Sequence, residues 1–347
     1  MNDRTDPKLP QGFADVEALE DFMTAPSAAL EADLARVPGD LMVLGVGGKM
    51  GPTLARMARR AAPGKRVIGV ARFSEQGLRE KLEGHGVECI ACDLLDRAAL
   101  ERLPRAPNVV YMAGYKFGAA GNPALTWAMN TGVPLMVAEA FRASRIVAFS
   151  TICVYPYADT SGRGATEATA AEPPAGDYAW SCVGREQMFL HGSQRWGTPG
   201  RLVRLSYAID MRYGVLHDVA ASVLAGRDLD VTMGHVNVIW QGDANEHALR
   251  LLAHCTTPTT PLNVTGPAMT SVRWLAGELG KRLGKPARCV GREAPSAWVV
   301  DTAAAQALLG APRVPLEAML DWTADWVARG GASLGKDTHF GTRDGKY

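Results

Sequence analysis

The chain has 347 residues, 47% of them hydrophobic, with 37 Lys and Arg against 36 Asp and Glu and a formal net charge of +1. That suits a globular protein of one large or two modest domains, and a charge so near zero gives no electrostatic footprint for nucleic acid or an anionic membrane. No apolar run approaches the roughly 20 residues that span a bilayer, and the polar stretch Met1 to Gln11 has no signal-peptide core, so a cytoplasmic protein is expected.

Residues 14 to 37 read as one or two short helices. Val16, Leu19 and Met23 form one stripe, and Ser27 is a candidate N-cap for a second helix carrying Leu30, Leu34 and Val37. Pro38-Gly39-Asp40 ends this leader, which makes 1–39 a helical extension appended to the main body of the chain. An apolar run, Leu41-Met42-Val43-Leu44, then leads into Gly45-Val46-Gly47-Gly48-Lys49-Met50-Gly51 and a helical pattern from Thr53 to Ala62. Strand, glycine turn and helix form the context of a dinucleotide-binding fingerprint. Its glycines serve a tight turn, the approach of backbone to a pyrophosphate, and close packing of helix on sheet. The helix N-terminus offers N–H groups to the phosphates.

Strands and helices then alternate. Arg66 to Ala71 is a second strand and Leu78 to His85 a helix. Val87 to Cys92 is a third strand, closed by Asp93-Leu94, and Arg97 to Leu103 a short helix. Val109 to Ala113 is a fourth strand, closed by Gly114. Ala124 to Ala143 is a long helix, and Arg145 to Ser150 a fifth strand. Continuous apolar strands separated by helices predict an α/β fold, a Rossmann-type doubly wound parallel sheet. Ligands bind outside the carboxyl ends of such strands, here Gly45, Ala71, Asp93, Gly114 and Thr151. Segment 156 to 177 reads as a long loop near the site, Asp177 to Gln194 as a helix with Asp177 a candidate N-cap, and Arg201 to Leu205 as a sixth strand. The dinucleotide-binding domain thus spans 40–205 with a return near 231–265. A smaller C-terminal α/β substrate lobe occupies mainly 206–330. The polar tail 331–347 is expected to be disordered, with Phe340 and Tyr347 able to dock on a neighbour. The six cysteines (Cys89, Cys92, Cys153, Cys182, Cys255, Cys289) lack the paired spacing of a metal site and read as reduced structural thiols.

Over about 41 to 330 the chain resembles the extended short-chain dehydrogenases/reductases, the NAD-dependent epimerase/dehydratase group. Leu44 to Gly51 resembles TGxxGxxG, with Leu44 in place of Thr. Asp93-Leu94 resembles the acidic-apolar pair at adenine, and Ala113-Gly114 the turn after the fourth strand. Asn130 matches a helix Asn that holds the active-site geometry. Ser150-Thr151-Ile152-Cys153-Val154-Tyr155-Pro156 resembles SS-x-x-VYG, with Thr151 at the catalytic Ser/Thr position. Val236 to Ala244, with Asp243, and Leu262 to Gly266 resemble two later stretches. The resemblance implies a dinucleotide held by Gly45, Gly48, Lys49, Met50, Gly51, Arg72, Asp93, Leu94, Ala113 and Gly114, with Cys182 at its ribose. Arg72 with Ser74, where an acidic residue would bind the NAD ribose, favours NADP; an arginine stacked on adenine would accept NAD or NADP alike.

The chain departs from the family at YxxxK. Tyr178 is in place, with Glu186 at a frequent acidic position, but Cys182 stands where the lysine belongs. A phenol near pKa 10 is a poor base at neutral pH, and losing a neighbouring cation raises its pKa. Another cation can fill the space, with Lys116 the candidate and Arg185 expected to point elsewhere. Alternatively the oxidised cofactor's charge suffices, or the protein binds dinucleotide without turnover, as a sensor or scaffold. The leading expectation is an NAD(P)-dependent oxidoreductase or epimerase acting on a hydroxyl or carbonyl of a polar small molecule, a sugar or sugar acid. In it Thr151 polarises the carbonyl and Tyr178 relays the proton. Ile152 and Cys153, where sugar-nucleotide dehydratases carry Asp-Glu, argue against a dehydratase. His217 and the strand with Asn237, Trp240 and Gln241 are weaker candidates, as surface or core residues against substrate contacts. A homodimer through helices at 124–142 and 178–195 is expected by the same resemblance.

Overall fold

Seven short strands, most of them largely apolar where helices cover the sheet, line up in parallel. They are β1 (Leu41–Leu44), β2 (Val67–Ala71), β3 (Glu88–Ala91), β4 (Asn108–Tyr111), β5 (Arg145–Thr151), β6 (Gly200–Leu205) and β7 (Thr260–Val264). Their order across the sheet is β3-β2-β1-β4-β5-β6-β7, with Leu41 opposite both Val67 and Asn108. The order reverses between β1 and β4, which opens a crevice at their carboxyl ends. The computed structural model describes residues 9–116 and 119–344. Met1 to Lys8, Phe117, Gly118 and the candidate docking residue Tyr347 lie outside the described residues.

Helices cover both faces. On one lie α2 (Ala28–Arg36), α3 (Gly51–Ala61), α4 (Leu78–Gly84), α10 (Gln241–Arg250) and α12 (Ala303–Leu309). On the other lie α5 (Arg97–Glu101), α7 (Val133–Ala140) and α8 (Asp177–Trp196). Three further helices, α9 (Val215–Leu224), α11 (Val272–Leu283) and α13 (Leu316–Ala328), build a second core that faces the crevice. Late in the chain, β7 pairs with β6 and α10 packs against α2 and α3.

The leader is woven into both cores. Leu30, Leu34 and Val37 join the sheet side, while Phe13 and the residues Leu19 and Met23 of α1 (Val16–Met23) join the second core. Ser27 caps α2 as expected, accepting from the Leu30 amide at 3.1 Å, and it also donates to Glu246 at 2.6 Å.

Three expectations are corrected. The long helix predicted from 124 runs as α6 (Pro123–Trp127), a π-helical turn (Ala128–Gly132) and α7. Pro134 has no N–H for the carbonyl four residues back, and the Val133 N–H bonds Ala128 instead. Asp177 is the first residue of α8; the N-cap is Gly176, at φ 92°. The tail packs rather than dangles: Thr338 donates its amide (3.0 Å) and its hydroxyl to Asp218, and Phe340 is buried in the second core of its own chain. Among the described residues no helix is long and apolar enough to cross a membrane, and no cluster of His, Cys, Asp and Glu could hold a metal.

Candidate active site

The glycine turn after β1 is shaped by contacts that exclude a side chain. Gly45 has φ 90°, and a Cβ there would meet the Ala113 amide nitrogen at 2.5 Å. A Cβ on Gly51 would meet the Val46 carbonyl oxygen at 2.3 Å, so α3 lies directly on the turn. Gly48 is exposed, and a Cβ there would make only an ordinary 3.5 Å contact. Its bare backbone faces the cleft, where a pyrophosphate would come to rest. The turn therefore fits the diphosphate of a dinucleotide.

Two cavities meet at this turn, sharing Gly45, Gly48 and Met112. The first runs over the ends of β2, β3 and β4 and is bounded by Arg72, Asp93, Leu94, Ala113 and Gly114, the expected adenosine residues. Asp93 closes its turn by accepting from the Leu95 amide at 3.0 Å. Glu75 and Lys336 also line this cavity. Both were missed: Glu75 lies four residues beyond the strand, and Lys336 arrives on the tail.

The second cavity gathers Lys49, Lys116, Thr151, Tyr178, Tyr207, Tyr213 and Thr338. Thr151 ends β5, and its Oγ1 accepts from the Cys153 amide at 3.1 Å, capping a 3-10 turn. A hydroxyl used as acceptor keeps its O–H to donate. Tyr178 stands in the first turn of α8, with Cys182 one turn on. Burial holds the phenol well above its ordinary pKa of 10, and Cys182 adds to the rise. Burial also pushes the Cys182 thiol up to about 11. Cys182, expected at the cofactor ribose, lines neither cavity. Its side chain is fully buried and packs among Ile152, Val154 and Tyr155.

A cation does reach this cavity. Asn130, projected by the π turn, accepts from the Tyr115 amide (2.8 Å) and donates to the Tyr115 carbonyl (2.9 Å). That grip fixes the loop carrying Lys116. The Lys116 ammonium lies 6.0 Å from the centre of the Tyr178 ring and donates to the Thr338 carbonyl at 3.4 Å, and burial lowers its pKa. Arg185 donates to the Phe149 carbonyl (2.9 Å) and to Asn130 Oδ1 (2.7 Å), and its charge acts on Tyr178 and Cys182. Gly114 makes room for it, since a Cβ there would lie 2.5 Å from Arg185 Nη2.

Lys49 also lines this second cavity. Its side chain leaves the turn, donates to the Ala208 carbonyl at 2.9 Å and lies 4.2 Å over the Tyr213 ring. Burial lowers its pKa to about 7. Behind the site, Ser150 donates to Glu186 (2.6 Å), Glu186 is forked by Arg204 (2.6 Å), and Arg204 reaches Tyr155 (2.7 Å), which donates to Asn263 (2.8 Å). This buried chain ties β5, α8, β6 and β7 together. The weaker candidates belong to the scaffold. Trp240 stacks among Phe13, Phe22 and Trp322; Asn237 and Gln241 are buried and hydrogen-bonded; His217 bonds the Met211 carbonyl.

A parallel sheet with its crevice at the reversal point, a glycine turn that rejects side chains and a Thr–Tyr pair beside it define a Rossmann-type dinucleotide-binding protein. Residues 41–233 match the sequence model of the NAD dependent epimerase/dehydratase family. The chain belongs to that family of enzymes. Among solved structures, UDP-glucose 4-epimerase of Thermotoga maritima, with UDP-glucose, is 18% identical at a TM-score of 0.70, covering 84% of this chain and 99% of that one. The Thermus thermophilus UDP-glucose 4-epimerase in complex with NAD is 21% identical, TM-score 0.69, with the same coverages. A dTDP-glucose 4,6-dehydratase from Streptomyces venezuelae, with NAD bound, is 20% identical, TM-score 0.71, covering 84% of this chain and 97% of that one. At these identities the likeness is one of fold. No curated protein matches the chain.

Proposed function

We propose that the protein is an NAD(P)-dependent oxidoreductase or epimerase acting on a hydroxyl or carbonyl of a polar small molecule of the sugar or sugar-acid class. The observation that carries this reading is that Thr151, Tyr178 and Lys116 line one cavity contiguous with the glycine turn. Gly45, Gly48 and Gly51 would hold the pyrophosphate, and Arg72, Asp93 and Leu94 the adenosine end. The NAD held by two of the solved neighbours, and Glu75 beside Arg72, favour NAD over the NADP that Arg72 alone suggests. A nicotinamide bound there supplies the hydride donor or acceptor. Thr151 donates its O–H to the substrate oxygen. Tyr178 delivers or takes the proton at that oxygen. Its raised pKa keeps it protonated at neutral pH, so the resting phenol is poised to donate. The Arg185 charge opposes that rise, and the Lys116 ammonium stands 6.0 Å from the ring centre.

Titration with NAD and NADP, followed by nicotinamide absorbance with a panel of sugars and sugar acids, tests this. Tyr178→Phe is expected to lower turnover at least about 100-fold while cofactor affinity holds. Unchanged turnover in the variant overturns the proton role. Cofactor binding with no turnover on any member of the panel turns the reading to the alternative, a dinucleotide-binding sensor or scaffold, which the buried Cys182 favours. The homodimer is proposed on the exposed Trp127 of α6, Leu135 of α7 and Trp180 of α8; a monomer by light scattering rejects it.

A further inference from the structure

We propose that the chemistry half of the cleft is a binding site for an oxyanion, with Lys49 and Lys116 holding a carboxylate or phosphate of the substrate beside the carbon presented to Thr151 and Tyr178. The proposal rests on the reading that a dinucleotide-dependent reaction takes place there.

The lining of this cavity is one-sided in charge. Among the described residues that form it, the charged ones are Lys49 and Lys116, with no carboxylate between them. Much of the rest is apolar, from Met112, Phe149, Ile152 and Leu205. Two ammonium groups in such a place repel each other and lose hydration, and both effects lower the pKa of Lys49. The carboxylates whose fields reach Lys49 are committed elsewhere. Asp210 receives Arg212 at both oxygens (2.9 and 2.7 Å), and Asp218 receives the amide and hydroxyl of Thr338. Arg212 is in turn shared with Glu20 at 2.8 Å. Lys49 spends one N–H on the neutral Ala208 carbonyl, and an ammonium has three donors. A charged acceptor makes a shorter and stronger bond than a carbonyl does.

The position also separates this site from the cofactor's own phosphates. Lys49 belongs to the turn, but its side chain crosses to the Ala208 carbonyl and to the ring of Tyr213, two residues before α9. A substrate anion seated there would neutralise the pair and restore the Lys49 charge. Binding then takes up a proton, because free Lys49 titrates at about 7 among Asp210, Arg212, Asp218 and Lys116. Anion affinity should fall as pH rises from 7 to 9.

The test uses the full chain loaded with NAD and three probes, glucuronate, glucose 6-phosphate and glucose, titrated by calorimetry. At pH 7, one anion is expected to bind at least ten-fold more tightly than glucose, and which one it is separates carboxylate from phosphate recognition. Lys49→Met should abolish that preference, and Lys116→Met should reduce it. Equal affinity for all three probes, or a preference that survives Lys49→Met, overturns the proposal. So does a loss of NAD affinity in Lys49→Met, which would place this lysine on the pyrophosphate. A wild-type chain that binds no NAD fails the broader reading instead.

Discussion

A thiol four residues after Tyr178 brings the phenol no positive charge. Cys182 is sealed from solvent, and its pKa of about 11 leaves on the order of 0.1% thiolate at pH 8. It can therefore be neither a nucleophile nor an electrostatic stand-in for lysine. Alkylation with iodoacetamide at pH 8 should modify the less buried Cys153 and Cys289 while Cys182 in the folded protein stays unlabelled, as read by peptide mass spectrometry. Cys182→Ala should keep turnover within a few-fold and cost about 1 kcal/mol of stability for the packing it removes. Rapid labelling of Cys182 that tracks loss of cofactor-dependent activity would put a reactive thiol in the site after all.

At the level of elements, the turn between β1 and α3 decides whether a dinucleotide can be held. Gly51→Ala drives a methyl into the Val46 carbonyl, so α3 must move off the turn. Overpacking of this kind costs about 1–3 kcal/mol. The expected result is a lower thermal midpoint and at least a ten-fold weaker NAD titration; wild-type affinity would mean the turn is not the cofactor cradle. This turn was legible in the sequence because its strand, glycines and helix are contiguous. The first six strands were legible for a related reason, since doubly buried strands read as apolar runs. Other features depend on partners distant in the chain. Nothing local shows that the Lys49 side chain would cross to Ala208, 159 positions away. The tail's Gly-rich, polar composition concealed that Thr338 meets Asp218 and that Phe340 fills the second core. The break in the helix after Pro123 had a local cause in Pro134, which the apolar periodicity around it masked. Lys116 could be foreseen from its place just past β4, at the end where ligands bind.

Across the whole molecule, α10 is the joint between the two cores, packed against α1, α2 and α3. Residues Gln241 to Leu249 are all buried, although five of them are polar or charged. Two titrate inside the fold with opposite effects. Burial lowers His247 from 6.5 to about 4. The unfolded chain then takes up its proton first, so stability present above pH 6.5 is lost as pH falls toward 4. Burial raises Asp243 from 3.8 to about 6, against the pull of the Val314 amide and Arg313. The unfolded chain releases that proton first, so stability present below pH 3.8 is lost as pH rises through 6. At 1.36 kcal/mol per unit, each contributes about 3 kcal/mol, and between pH 4 and 6.5 the two slopes oppose each other. Urea unfolding of single variants should expose them. Relative to wild type, His247→Gln should gain stability as pH falls from 6.5 to 4, and Asp243→Asn should gain it as pH rises from 4 to 6. Stability differences from wild type that stay constant across this range in both variants would show that α10 carries no titrating charge.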